Sequence, residues 1–166
     1  MGEPAAPPGP PRPELAPAYR SLLREMKLAL LSEIGARSIY DHLGRRAGNG
    51  ELRRVLVHLN ETGAERVARL RELMQGLGAR PRRTSLRRRA LARGLALGSR
   101  LIGIRPVLRI CMNAEETVGR WYAEYALFLA RLDDRERARV CEELSQAKRR
   151  NAQMLGAWVH NPGGRT

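Results

Sequence analysis

Arginine dominates the residues of this sequence that could bind a ligand or take part in chemistry. Ten arginines lie between Arg80 and Arg109, and the longer stretch from Leu73 to Ala114 contains no acidic residue. Lysine and arginine together number 31 against 17 acidic residues, which gives a formal net charge of +14. A charge of this sign and size indicates an acidic partner, such as anionic lipid, nucleic acid or an acidic protein.

The cysteines do not form a recognisable reactive pattern. Cys111 and Cys141 are too few and too far apart for a disulfide framework or a metal site, so we expect both to be buried and reduced. Reduced thiols favour a cytoplasmic location. The sequence shows neither a targeting segment nor a run of about 18 apolar residues, so no membrane span is predicted.

Four segments carry apolar residues at helical spacing and are predicted to form α-helices. They run from Glu14 to about Arg46, from Glu51 to Leu77, from Val107 to Leu132, and from a capping sequence at 133–136 to about Val159. No alternating β pattern is present. The predicted fold is therefore all-α, with a four-helix domain over residues 14–160. Residues 1–13 are predicted to be a disordered, proline-rich tail, and residues 161–166 a flexible tail.

Residues 78–106 are predicted to form a long amphipathic crossover between two helical hairpins, which is the connectivity of ferritin-like four-helix bundles. Basic amphipathic segments bind anionic membrane surfaces. Packing across the bundle end, with the arginines in solvent, is the structural alternative. Nucleic-acid binding rests on charge alone, because no helix-turn-helix, zinc or aromatic stacking signature is present. The proposed anion-binding residues are Arg82, Arg83, Arg87, Arg88, Arg89 and Arg93, with the apolar Leu91, Leu95 and Leu97.

Four short segments, in the same order and at similar spacing, resemble those of the demethoxyubiquinone hydroxylase family, the diiron enzymes of ubiquinone synthesis. The resemblance covers roughly residues 28 to 157 and implies a ferritin-like fold with a membrane-facing crossover. The matching segments are EIGARSIY at 33–40, Glu72–Met74 followed by Arg80 and Pro81, GLALG at 94–98, and AEETV at 114–118 with Tyr122.

Most of the diiron ligands that this resemblance implies are missing. Such a site needs single glutamates from two helices and a Glu-x-x-His pair from each of the other two. Glu33 and Glu115 match the single glutamates, but no Glu-x-x-His occurs anywhere in the sequence. The positions of the two pairs hold Gly63 with Arg66, and Ala147 with Arg150. We therefore expect no cofactor, and iron only if the chain is an active hydroxylase after all.

The two arginines suggest a substitute for the metal. Glu33 and Glu115 would repel each other in the bundle centre and would each lose solvation worth several kcal/mol in order of magnitude. Guanidinium groups match carboxylates in charge and shape. We therefore predict a buried salt-bridge cluster of Glu33, Arg66, Glu115 and Arg150. The alternative is that the arginine side chains reach solvent.

The sequence thus favours a non-catalytic protein, peripheral on the inner face of the membrane. It would bind an anionic surface, a quinone or other isoprenoid lipid, or a partner protein, with a homodimer as a further expectation. Trp121 and Tyr125 share one helical face, which is typical of core packing and, alternatively, of a quinone or lipid contact. The competing functions are an active diiron monooxygenase and a basic nucleic-acid-binding protein.

Overall fold

A computed structural model describes residues 15–79 and 103–160, and this part of the chain contains four α-helices and no strand. They are α1 (Ala16–Arg46), α2 (Gly50–Gly76), α3 (Ile104–Arg131) and α4 (Arg135–His160). The predicted all-α four-helix bundle is confirmed. The predicted tails lie outside the described residues, as do the arginines and leucines assigned to anion binding and most of the crossover.

The turn between α1 and α2 lies between the first two predicted helices. Asn49 is the N-cap of α2, and its side-chain oxygen accepts hydrogen bonds from the backbone N–H groups of Glu51 at 2.8 Å and Leu52 at 3.1 Å. This satisfies two donors that the first turn of a helix leaves unpaired. At the other end of α2, Gly78 adopts a positive φ of 87°, a conformation that favours glycine.

The third helix begins one turn earlier than predicted. Residues Ile104 and Arg105, which we assigned to the crossover, form the first turn of α3 together with Pro106. Proline is tolerated there because the N–H groups of a first turn have no partner inside the helix. Proline therefore marked the beginning of this helix and not the end of the preceding segment.

Adjacent helices of the bundle run antiparallel. One core cluster gathers the start of α1, the end of α2, the end of α3 and the start of α4, and a second cluster gathers the four opposite ends. The two hairpins, α1–α2 and α3–α4, contact each other through α1 with α3 and α2 with α4. Ala79 and Gly103 consequently lie at opposite ends of the bundle. A single long crossover between two hairpins is the connectivity of ferritin-like bundles.

The two apolar clusters contain most of the buried side chains. The first includes Met26, Leu70 and Leu129, and the second includes Leu56 and Leu108. Between them, along each helix, lies a layer of buried polar and charged residues. Within the described ranges, no helix is long and apolar enough to cross a membrane.

Candidate functional site

The polar layer is a buried ionic cluster, defined here as Glu33, Arg66, Glu115, Lys148 and Asn151. Every helix contributes at least one member. All five side chains are almost fully shielded from solvent, and Glu33 and Lys148 are only 0% and 1% exposed. Burying charges is costly unless they are paired and hydrogen-bonded, so the contacts inside the cluster decide whether it is stable.

Lys148 is the centre of the cluster because its ammonium group contacts both carboxylates. The Nζ atom lies 3.0 Å from Oε1 of Glu33 on α1 and 2.9 Å from Oε1 of Glu115 on α3. These are distances of charge-assisted hydrogen bonds. The Lys148–Glu33 pair crosses from one hairpin to the other, so a single cation joins three helices.

The remaining carboxylate oxygens have partners of their own. Arg66 donates from Nε to Oε2 of Glu33 at 3.4 Å and from Nη1 to Oγ1 of Thr62 at 3.1 Å. Asn151 donates from Nδ2 to Oε2 of Glu115 at 2.7 Å. Two carboxylates face two cations, so the cluster is formally neutral.

Two tyrosines donate hydrogen bonds to the cluster, each to the glutamate of the other hairpin. Tyr40 on α1 donates its hydroxyl to Glu115 Oε1 at 2.7 Å, and Tyr122 on α3 donates to Glu33 Oε1 at 3.2 Å. Burial, together with the adjacent carboxylate, raises the pKa of both phenols well above the ordinary value. Both hydroxyls therefore remain protonated donors throughout the neutral pH range.

The cluster has an approximate two-fold arrangement that relates the two hairpins. The same interval of 82 residues separates Glu33 from Glu115, Tyr40 from Tyr122 and Arg66 from Lys148. Each tyrosine donates to the glutamate of the other helix, so α1 and α3 exchange equivalent hydrogen bonds. This regular interval was a signal in the sequence that could have identified Lys148.

The structure brings Glu33, Arg66 and Glu115 together as expected, but the prediction for Arg150 is wrong. Arg150 is exposed on α4, and Lys148 supplies the second cation. Residues of an α-helix are about 100° apart around its axis, so a shift of two positions moves a side chain from the core to the surface. The prediction for Arg150, which was carried over by position from the resembled family, was wrong by two residues along α4.

Gly63 stands where the resemblance implies a ligand glutamate on the second helix, and the space beside it is occupied by Arg37. A Cβ atom added at Gly63 would lie 2.8 Å from Cγ of Arg37. The Arg37 Nε atom in turn donates to the backbone oxygen of Asn60 at 3.1 Å and to its side-chain oxygen at 3.2 Å. A longer side chain at residue 63 would therefore require Arg37 to move.

A cleft of about 350 Å³ lies between α2 and α4 and is lined by Arg66 on its inner side. Arg150 and Arg69 also line it, and Arg69 pairs with Glu143. Glu143 is thus part of a half-exposed surface ion pair. Both arginines proposed from the sequence belong to this region, one inside the cluster and one at the cleft.

The chemical capacity of the site follows from these contacts. The part of the chain that the structure describes contains no group of three or more histidine, cysteine, aspartate or glutamate side chains placed to hold a metal ion. The thiols are buried as predicted, and burial raises the pKa of Cys111 and Cys141 to about 12, which disfavours the reactive thiolate. Among the described residues, both carboxylates of the site are paired with cations, and neither buried thiol is activated as a nucleophile.

The fold and the cluster together define an all-α four-helix bundle with an ionic centre. No protein-family model matches the chain, and neither a curated protein nor a solved structure is significantly similar to it. The resemblance to the demethoxyubiquinone hydroxylases consequently remains a prediction from the sequence.

Proposed function

We propose that this chain is a metal-independent, non-catalytic bundle protein, related to the diiron quinone hydroxylases, that binds an anionic membrane surface. The observation that supports its metal independence is the position of Lys148. Its ammonium group lies 3.0 Å and 2.9 Å from Glu33 and Glu115, the two glutamates that match diiron ligands. A cation of the protein itself thus neutralises both carboxylates.

The donor set around these glutamates supports the same proposal. Diiron carboxylate sites combine glutamates with histidines from four helices. Here the other two helices contribute Arg66, Lys148 and Asn151, which donate hydrogen bonds to the carboxylates. Protonated lysine and arginine cannot act as metal ligands because they offer no lone pair.

The membrane part of the proposal rests on charge. Residues 80–102 contain eight arginines and no acidic residue. The described start of α3 continues this pattern with the exposed Arg105 and Arg109 next to Ile110, which is 44% exposed. Basic residues with neighbouring apolar side chains are attracted to anionic headgroups. A quinone, another isoprenoid lipid or a partner protein would be bound at that surface.

Iron content tests metal independence. Protein purified from iron-replete cells should contain far less than one iron per chain, and adding ferrous iron and oxygen should produce no oxidised diiron absorption band. Two irons per chain would overturn this part of the proposal and favour an active hydroxylase instead.

Vesicle flotation tests the membrane surface. The chain should float with vesicles that contain anionic lipid and not with neutral vesicles, and Arg87, Arg88 and Arg89→Gln should weaken flotation. The matched control removes three exposed arginines elsewhere, Arg20, Arg71 and Arg139→Gln. Equal loss in both variants would argue against residues 87–89 as the contact. Tighter binding to duplex DNA than to vesicles at equal salt would favour a nucleic-acid function.

A further inference from the structure

The groove between α1 and α3 is acidic, whereas the protein as a whole is basic. It is a cleft of about 220 Å³ lined by two acidic, two aromatic and one aliphatic residue: Glu25, Glu124, Trp121, Tyr125 and Leu28. It opens between the hairpins at α1 and α3, whereas the arginine-lined cleft lies between α2 and α4. The two clefts are therefore different sites.

Both carboxylates of this cleft are available for a ligand. Glu25 and Glu124 are exposed, and neither forms a salt bridge with any residue in the described ranges. The chain as a whole carries a net charge of +14, whereas the lining of this cleft contains two carboxylates and no basic side chain. Their combined field attracts a cation.

Tyr125 provides a second, independent indication of a ligand. The residue is only 3% exposed and lines the cleft, and its hydroxyl, which forms no hydrogen bond with the described residues, reaches solvent. Burial raises the pKa of Tyr125, and the negative charges of Glu25 and Glu124 raise it further. An edge-to-face contact with Tyr122, at a centroid distance of 6.0 Å, holds the ring in place. A polar atom held in this way at a cleft is suited to bind a polar ligand group.

The apolar side of the cleft restricts the ligand further. Leu28 is 55% exposed, and Trp121 is half-buried with its indole beside the cleft. An indole ring attracts cations through its π-face, and it can also pack against the apolar part of a ligand. The volume is below the roughly 300 Å³ at which pockets for drug-sized ligands begin, so the ligand is small or a single side chain.

We propose that this cleft binds a small organic cation that carries a guanidinium or primary ammonium group. The group would donate hydrogen bonds to Glu25, Glu124 and the Tyr125 hydroxyl, and its apolar body would lie against Trp121 and Leu28. A hydrogen-bonding cation fits better than a quaternary ammonium because the carboxylates and the hydroxyl all accept hydrogen bonds. The proposal does not depend on the membrane function above.

The test is a calorimetric titration of the full chain with n-butylguanidinium, using n-butylurea as the neutral analogue of the same shape. Butylguanidinium should bind saturably, and butylurea should not. Glu25→Gln with Glu124→Gln should weaken binding by at least about tenfold, because it removes both carboxylate partners. Both glutamates are exposed, so this variant should keep the helical content of the parent.

The matched control is Glu116→Gln with Glu142→Gln, which removes two exposed carboxylates outside the cleft and should leave binding unchanged. Equal binding of butylurea, or undiminished binding by the Glu25→Gln, Glu124→Gln variant, would overturn the proposal.

Discussion

Lys148 illustrates how a single buried side chain determines the character of the bundle centre. A lysine that is 1% exposed would lose its charge or destabilise the fold if its ammonium group lacked partners. Here Glu33 and Glu115 both accept from it. Removing one partner of a buried ion pair is strongly destabilising, because the charge that remains has no compensation. Replacing both partners by apolar residues costs far less.

Replacing Lys148 by methionine tests this directly. Lys148→Met keeps a long unbranched side chain but leaves Glu115 without a cation and Glu33 with Arg66 alone. The free energy of unfolding should fall by about 3–5 kcal/mol. Urea denaturation followed by circular dichroism at pH 7 measures this change.

The control substitution lies two residues away on the same helix. Arg150→Met removes an exposed cation that has no ion pair in the described structure, and it should change stability by less than about 0.5 kcal/mol. Adding Glu115→Gln to Lys148→Met should recover part of the loss, since the unpaired charge is then gone. Equal stability of Lys148→Met and the parent would contradict the central position of this lysine.

The two tyrosines that donate to the carboxylates of the cluster predict how stability depends on alkaline pH. The pKa values of Tyr40 and Tyr122 are raised in the folded state, whereas the unfolded phenols titrate near the model-peptide value of about 10. Below that pH both states are protonated and the phenols contribute no pH dependence. Above it the unfolded state loses protons first, so stability must fall as pH rises.

Tyr40→Phe with Tyr122→Phe should therefore flatten this alkaline decline. The variant loses two hydrogen bonds to the carboxylates and should be less stable at pH 7, but its stability should decrease less steeply between about pH 10 and 11. Urea midpoints at several pH values give both slopes. Parallel declines in parent and variant would show that other groups control the alkaline transition.

Helix packing at the cluster depends on close approach between α3 and α4. Gly119 lies where α4 passes, and a Cβ atom added there would meet Lys148 Cβ at 3.2 Å and the backbone oxygen of Ser145 at 3.6 Å. The Ser145 hydroxyl donates to the Gly119 carbonyl at 2.7 Å, which fixes the two helices in register. A methyl group at this position would push against the residue that holds the carboxylates.

Two glycine substitutions should consequently have opposite effects. Gly35→Ala, in the interior of α1 with no atom within 4 Å of the added Cβ, should stabilise the protein by about 0.5–1 kcal/mol through helix propensity. Gly119→Ala gains the same propensity but crowds α4, so its net effect should be destabilising. Thermal or urea unfolding of both variants measures the two signs, and stabilisation by both would mean that α4 can shift freely.

The sequence predicted elements better than contacts, for physical reasons. Apolar residues at helical spacing are a local signal, so the four helices and the short gap between the first two could be located. Glu33, Arg66 and Glu115 were predicted from the ligand positions that the resemblance to the diiron family implies. Lys148 and Asn151 were missed because a core position on α4 must be known to within one residue.

At the scale of the whole molecule, the ionic cluster links hairpins that otherwise meet along two apolar contact regions. The Lys148–Glu33, Tyr122–Glu33 and Tyr40–Glu115 contacts all pass between hairpins. The helix directions followed from the predicted connectivity, because a long crossover lets α3 begin at the end of the bundle opposite to the end of α2. Which polar groups meet in the centre depends on side-chain reach across four helices, and local patterns do not encode it.

An apolar replacement of the cluster separates stability from function. Buried ion networks that are exchanged as a whole for apolar residues of similar volume often leave stability unchanged or raise it by about 1–4 kcal/mol. Replacing Glu33, Arg66, Glu115 and Asn151 by leucine, Lys148 by methionine, and Tyr40 and Tyr122 by phenylalanine should therefore give a folded bundle at least as stable as the parent, as measured by urea denaturation. Its flotation with anionic vesicles should also be unchanged, because the proposed contact lies in residues 80–102 and at the start of α3. An unfolded variant would show that the cluster itself stabilises the bundle, and a folded variant that no longer floats would connect the ionic centre to the membrane surface.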